Sequence, residues 1–192
     1  MQKTVIKTAI ITVIAILLAV VVTFAGFSLF APAKTGDFLS EMGLEGSALN
    51  HYAIAYSRNK STSNLVKVIN SAVILEDEDE LVKYFGDLEE RQNEVEEEYF
   101  LTVAGKYCII LAKQNQTQNA INKALTYSQN YTESCLLRAL IYHALSTENK
   151  QFGGEVYNAL VTLKQEKYQE MSSESKTLLD ADIAILSEYL NK

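Results

Sequence analysis

The chain starts with a long apolar stretch, and an amphipathic region follows it. Residues 8–30 read TAIITVIAILLAVVVTFAGFSLF and contain no charged side chain. At about 1.5 Å rise per residue, a helix of this length extends roughly 35 Å, which is enough to cross a hydrocarbon core about 30 Å thick. The pattern therefore predicts a transmembrane helix over residues 8–30, preceded by a short N-terminus over residues 1–7.

The charges that flank this stretch favour one orientation. Lys3 and Lys7 precede it, whereas Lys34 follows it and is itself followed by Asp37. The positive-inside rule then predicts a cytoplasmic N-terminus and an extracytoplasmic C-terminal region. The alternative is a secretory signal peptide, because residues 31–33 (Ala-Pro-Ala) fit a small-x-small cleavage site. Signal h-regions are about 7–15 residues long, so this longer stretch favours an uncleaved anchor in the cell membrane.

Beyond a linker over residues 31–45, apolar side chains recur every three or four residues. Leu49, Tyr52, Ala53 and Tyr56 share one helical face, and the region after Pro32 has no proline. We expect an all-α fold, with one helical domain over residues 46–192. The predicted helices cover residues 48–58, 64–75, 79–92, 94–113, 118–129, 133–145, 151–166 and 174–190.

The acidic residues are concentrated in one part of the chain. The net charge is −7, and twelve acids lie between Glu76 and Glu98. Such an acidic belt argues against a nucleic-acid partner. The run over residues 76–80 lacks the alternating ligands and central glycine of a calcium loop, and acids at a helix start complement the helix dipole. We therefore expect no metal site there.

Residue types that carry catalysis are sparse and scattered. His51 and His143 have no neighbour at metal-ligand spacing, and no nucleophile elbow, glycine-rich phosphate loop or HExxH helix is present. Cys108 and Cys135 fall inside predicted helices as small buried residues, with a disulfide in an oxidising compartment as the alternative. The sequence predicts neither an enzyme nor a cofactor.

The helical region contains an internal repeat of paired helix patterns. The pairs are Leu49-x2-Tyr52-Ala53-x2-Tyr56 with Leu65-x3-Ile69-x2-Ala72, Leu101-x2-Ala104-Gly105-x2-Cys108 with Thr117-x3-Ile121-x2-Ala124, and Leu136-x2-Ala139-Leu140-x2-His143 with Phe152-x3-Val156-x2-Ala159. The last two pairs start 35 residues apart. The first two start 52 residues apart, which leaves room for the acidic helix 79–92.

This spacing resembles a degenerate tetratricopeptide (TPR-like) repeat that lacks the family's tryptophan and closing proline. The resemblance implies antiparallel helix pairs whose first helices line a groove for another polypeptide. Carried over position by position, it implies groove residues on three helices: Asn50, Ile54 and Ser57; Tyr99, Thr102, Lys106 and Ile109; and Leu137, Ile141 and Ala144. These residues are mostly apolar, so an apolar or extended segment is the expected occupant.

Taken together, the sequence predicts a single-pass membrane protein that acts as a scaffold for protein–protein interaction through an extracytoplasmic TPR-like domain. One alternative is a packed helical bundle used for self-association or as a spacer. Another is a secreted helical protein released by cleavage near Ala33.

Overall fold

The computed structural model describes residues 2–127, 131–132 and 135–192, and the side chains from Ile10 onward. The α-helices are α1 (Gln2–Phe30), α2 (Pro32–Glu41), α3 (Glu45–Arg58), α4 (Thr62–Ile74), α5 (Glu78–Glu90), α6 (Glu97–Lys113), α7 (Thr117–Tyr127), α8 (Leu136–Ser146), α9 (Lys150–Lys167) and α10 (Ser173–Asn191). Short 3-10 turns lie at Gln92–Glu94 and Tyr168–Glu170. The described part of the chain is 86% helical without strands, which confirms the all-α class. The predicted helix ends at Gln129 and Glu133 lie outside the described residues.

Helix α1 contains the apolar stretch that the sequence predicted to be helical. Its segment Ile10–Phe30 has a mean hydropathy of 2.9 and is long enough to cross a membrane. A signal sequence near an N-terminus has the same properties. By length and composition, the helix has the properties of a membrane anchor and also those of a signal sequence.

The segment predicted as a linker over residues 31–45 is largely helix α2, which packs against α3. Pro32 stands at the first helical position, where its missing N–H is not needed. Gly36 faces the ring of Tyr52, and a Cβ on Gly36 would lie 2.5 Å from Cε1 of that ring. The absence of a side chain at Gly36 allows α2 to approach α3 closely. The packed helical body therefore includes α2 and begins at Pro32.

The described chain divides into two compact units, Met1–Leu88 and Glu89–Lys192. Each unit has its own core of fully buried side chains. The first core includes Tyr56, Leu65, Ile69, Phe85 and Leu88, and the second includes Leu137, Leu140, Ile141, Leu160, Leu179 and Leu186. Residues 46–192, which the sequence predicted as one helical domain, include parts of both units.

Four helices end in the same type of turn. Helices α2, α4, α6 and α8 are each followed by a residue with positive φ, namely Gly43 (+74°), Glu76 (+54°), Asn115 (+59°) and Glu148 (+52°). The N–H of the next residue donates to a carbonyl five residues earlier, as in the Schellman motif. Successive turns of this type are 33, 39 and 33 residues apart. They join α2 to α3, α4 to α5, α6 to α7 and α8 to α9.

In the first unit, these turns join different helices from those that the sequence pattern paired. The pattern paired α3 with α4, and these two helices do pack together. However, they are joined by an extended segment in which Asn59 and Ser61 have β-region dihedrals, and the Ser61 hydroxyl caps α4 by accepting from the N–H of Asn64. The tight turn at Glu76 instead links α4 to α5.

Tyrosine hydroxyls that donate to carboxylates join the helices within each unit. In several clusters, a lysine binds the same carboxylate and also lies over the ring of the same tyrosine. These clusters include Tyr56–Asp87 with Lys60, Tyr52–Asp37 with Lys67, and Tyr168–Asp180 with Lys164. Each cluster adds a directional contact to otherwise apolar packing.

Candidate binding groove

A groove of about 1010 Å³ lies in the second unit, between α7 and α9. One stripe of α7 and one stripe of α9 form its walls. The α7 stripe is Gln118, Ile121, Asn122 and Leu125, and the α9 stripe is Glu155, Asn158, Ala159, Thr162, Leu163 and Glu166. The segments that precede α8 and α10 supply further lining residues, including Tyr131, Thr132, Met171 and Ser172.

The α9 stripe exists because this helix is amphipathic. Its groove residues recur at spacings of three and four, so they share one face. Phe152, Val156 and Leu160 lie on another face and are buried in the core of the unit. The helix start is fixed by Asn149, whose side chain accepts a hydrogen bond of 3.0 Å from the N–H of Phe152. Core packing therefore directs the polar face of α9 into the groove.

The lining combines an apolar floor with polar and acidic positions. Leu125, Leu163 and Met171 are half-buried and offer apolar contact area. Amide side chains come from both walls, and an amide can both donate and accept hydrogen bonds. The charged lining residues are Glu155, Glu166, Lys167 and Glu170. Three carboxylates against one ammonium group make this surface acidic.

Asp182, Arg138 and Tyr131 form a buried ionic cluster next to the groove. Asp182 on α10 is 3% exposed, and its Oδ2 accepts from Nε of Arg138 on α8 at 2.8 Å. The same oxygen accepts from the hydroxyl of Tyr131 at 2.7 Å, and Tyr131 lines the groove. Burial and this hydrogen bond raise the pKa of Tyr131 above its ordinary value. The cluster fixes the segment before α8 against α10, and so fixes one part of the groove wall.

Sequence reasoning missed Asp182, although a signal for it is present. Ser175, Leu179 and Leu186 are buried on one face of α10, and Asp182 has the same helical phase. An acid in phase with a buried stripe needs a cation nearby, because an unpaired buried charge is costly.

The residues implied by the resemblance occupy three different surroundings. On α6, Thr102 and Lys106 are exposed, whereas Tyr99 and Ile109 are half-buried. On α3, in the first unit, Asn50, Ile54 and Ser57 are exposed. On α8, Leu137, Ile141 and Ala144 are 0%, 2% and 0% exposed.

The α8 residues therefore belong to the core of the second unit rather than to an open surface. Helix α8 packs against α6, α7, α9 and α10, so it has little surface left for a partner. Leu137 also borders the groove, whose walls are formed by the second helices of the hairpins, α7 and α9. The position-by-position assignment had placed the groove on the first helices.

The other chemically versatile side chains are accounted for by packing. The ring of His143 meets that of Phe152 edge to face at 5.8 Å, and burial, with Lys113 nearby, lowers the pKa of His143. Burial raises the pKa of the Cys108 thiol to about 12. Cys135 is also buried, but it precedes α8 rather than lying within a helix. Asp77 caps α5 by accepting from the N–H of Glu80 at 3.0 Å.

In comparisons with known proteins, no family model, no curated protein and no solved structure matches this chain. The fold and the groove define an all-α protein with an N-terminal apolar helix.

Proposed function

We propose that this chain is a membrane-anchored protein-interaction scaffold whose second unit binds an extended, positively charged polypeptide segment. The groove between α7 and α9 is the observation that carries this proposal. Its α9 stripe runs from Glu155 to Glu166. At about 1.5 Å per helical residue this stripe is about 16 Å long, which matches about five residues of extended chain at ~3.3 Å each.

The chemistry of the lining favours a polypeptide over other occupants. Gln118 and Asn122, whose side chains share a hydrogen bond of 2.9 Å, and Asn158 retain amide donors and acceptors that complement the N–H and C=O groups of an extended main chain. Glu155, Glu166 and Glu170 attract lysine and arginine side chains and repel the phosphates of nucleic acids. The half-buried apolar floor suits alternate side chains of the same segment.

The spacing of the turns supports a repeat of helical hairpins. The positive-φ turns that close α6 and α8 are 33 residues apart, as are those that close α2 and α4. This interval is close to the 34-residue period of tetratricopeptide repeats. In the second unit, α6 packs on α7, α8 packs on α9, and α8 also contacts α6 and α10. We propose that these hairpins form a degenerate TPR-like array.

The contacts of α1 support an uncleaved anchor. The guanidinium of Arg58 on α3 donates to the carbonyl oxygen of Leu29, near the end of α1. This contact satisfies a carbonyl that the helix leaves unpaired and places a positive charge at the negative end of its dipole. Cleavage after Ala33 would cut α2 in its first turn and remove this contact.

A direct test measures peptide binding to the full-length chain in detergent by fluorescence anisotropy. One labelled hexapeptide alternates lysine with serine, and its partner alternates glutamate with serine. We expect binding of the lysine peptide alone, with an affinity that falls as salt rises. The double change Glu155→Gln and Glu166→Gln should weaken it by about fivefold or more, on the order of 1 kcal/mol. Glu188→Gln, outside the groove, is the matched control.

Two results would contradict the proposal. Equal affinity for both peptides would show that charge does not select the occupant. An unchanged affinity in the double variant would show that the peptide does not bind in the groove. Exclusive self-crosslinking from Lys106 would favour the alternative of a self-associating bundle. An intact mass that lacks residues 1–33 would favour the secreted alternative.

A further inference from the structure

A second groove, of about 590 Å³, lies between α1 and α2 in the first unit. Helix α1 contributes a stripe at helical spacings of three and four, and α2 contributes three residues. The lining is Ile16, Ala19, Val20, Thr23, Phe24 and Phe27 from α1, with Lys34, Thr35 and Phe38 from α2. Lys34 is the charged residue among these nine.

The polar groups of the α2 wall have distinct roles. The hydroxyl of Thr35 donates to the carbonyl of Ala31 at 3.2 Å, so it is used inside the protein. The side chain of Lys34 is exposed and lies just beyond Phe30, where the apolar stretch ends. Phe38 lies one helical turn further along α2 and is 51% exposed. The groove thus presents an apolar surface with one cation next to its end.

We propose that this groove binds an anionic phospholipid, with an acyl chain along α1 and the net negative headgroup next to Lys34. The α1 stripe from Ile16 to Phe27 is about 16 Å long at 1.5 Å per residue. This is about half of a ~30 Å hydrocarbon core, which is the depth of one leaflet. An amphiphile with an apolar tail and an anionic head complements both parts of the groove, whereas an apolar partner helix would complement the α1 stripe alone.

The inference rests on the part of the proposed function that places α1 in a membrane. It does not depend on the peptide groove of the second unit. A basic residue next to a membrane helix attracts anionic lipid by about 1 kcal/mol, which corresponds to about fivefold in affinity. The exposed position of Lys34 allows its charge to be removed without disturbing a buried contact.

The test is native mass spectrometry of the full-length chain in detergent. It compares phosphatidylglycerol with phosphatidylcholine of the same acyl chains. We expect one bound lipid and about fivefold preference for phosphatidylglycerol. Lys34→Gln should abolish this preference, and Phe38→Ser should reduce the binding of both lipids. Lys106→Gln, in the second unit, is the charge-matched control, and far-UV circular dichroism checks that each variant remains helical.

Equal binding of the two lipids, or a preference that persists in Lys34→Gln, would overturn the role of Lys34. An intact chain without bound lipid, or a lipid-free dimer, would overturn the site while leaving the anchor in place. A mass that lacks α1 would overturn both. The peptide measurement reports separately on the second unit.

Discussion

Arg138 and Asp182 form an ion pair between α8 and α10, with Nε 2.8 Å from Oδ2. Their side chains are 13% and 5% exposed, so water solvates neither charge well. Removing one partner of a buried pair costs about 3–5 kcal/mol, whereas replacing both with apolar residues is often neutral. This pair therefore contributes to the attachment of α10, together with the buried Leu179 and Leu186.

We expect Arg138→Met to lower the free energy of unfolding by about 3–5 kcal/mol, because it leaves the Asp182 carboxylate buried and uncompensated. The double change Arg138→Met with Asp182→Leu should recover part of this loss, because it removes the unpaired charge but also takes the acceptor from the buried Tyr131 hydroxyl. Urea unfolding followed by circular dichroism measures both. Lys192→Met is the control, since Lys192 and Glu188 are 72% and 71% exposed and such pairs contribute at most ~1 kcal/mol. A double variant no more stable than the single one would contradict the pairing argument.

Gly36 provides a test of the α2–α3 contact. We expect Gly36→Ala to lower stability by about 1–3 kcal/mol, because the added Cβ would force the ring of Tyr52 to move. That movement also disturbs the hydrogen bond of 3.0 Å from the Tyr52 hydroxyl to Asp37. Gly86→Ala on α5 is the control: no atom lies within 4 Å of its added Cβ, and alanine should raise stability by up to ~1 kcal/mol. Equal effects in the thermal unfolding of the two variants would show that α2 does not pack tightly.

The sequence predicted the positions of the helices, because these follow from the periodicity of apolar residues. The 3–4 spacing of apolar residues placed the body helices within a few residues of their observed bounds, because burying one face stabilises a helix whatever its neighbours are. It did not predict α2, where a ten-residue segment with a glycine and few apolar positions is stabilised by the Tyr52 ring. The contact that stabilises α2 comes from α3, so the local sequence of α2 does not predict the helix.

The site was less predictable than the helices, for a related reason. Local sequence does not say which face of a helix stays open, because this depends on how many neighbours surround it. Leu137, Ile141 and Ala144 fit a first-helix pattern, but α8 is surrounded by four helices and buries them. Asn158 and Thr162 line the groove because the core takes the opposite face of α9.

Glu89 should make stability depend on acid pH. Its carboxylate oxygens lie 2.5 and 2.8 Å from Nζ of Lys123. Burial by itself would raise the pKa of Glu89, but hydrogen bonds from Lys123 and Tyr127 outweigh it, so the pKa falls below its ordinary value of 4.5. A lowered folded-state pKa stabilises the protein above the unfolded pKa, and this contribution is lost as pH falls through the folded value.

We therefore expect Glu89→Gln to lower stability by about 0.5–1 kcal/mol at neutral pH, a range that suits a partly exposed pair. The difference from the original chain should shrink as pH falls below about 4.5, where the unfolded carboxylate takes up its proton. Urea unfolding at a series of pH values measures this. The exposed neighbour Glu90→Gln is the control. A difference that stays constant with pH would mean that the Glu89 charge is not involved.

Substituting glycine at the positive-φ positions should change stability by an amount that depends on the residue replaced. Glutamate is strained at positive φ, asparagine is less so, and glycine is not. Glu148→Gly should therefore raise stability by about 0.5–1 kcal/mol, Asn115→Gly should raise it less, and Gly43→Ala should lower it by about 1 kcal/mol. Glu148→Val should be destabilising, because a β-branched residue does not accept this conformation. Thermal unfolding of the four variants measures the order. If Glu148→Gly and Glu148→Val changed stability equally, the left-handed turn after α8 would be wrong, and with it the 33-residue spacing that supports the repeat.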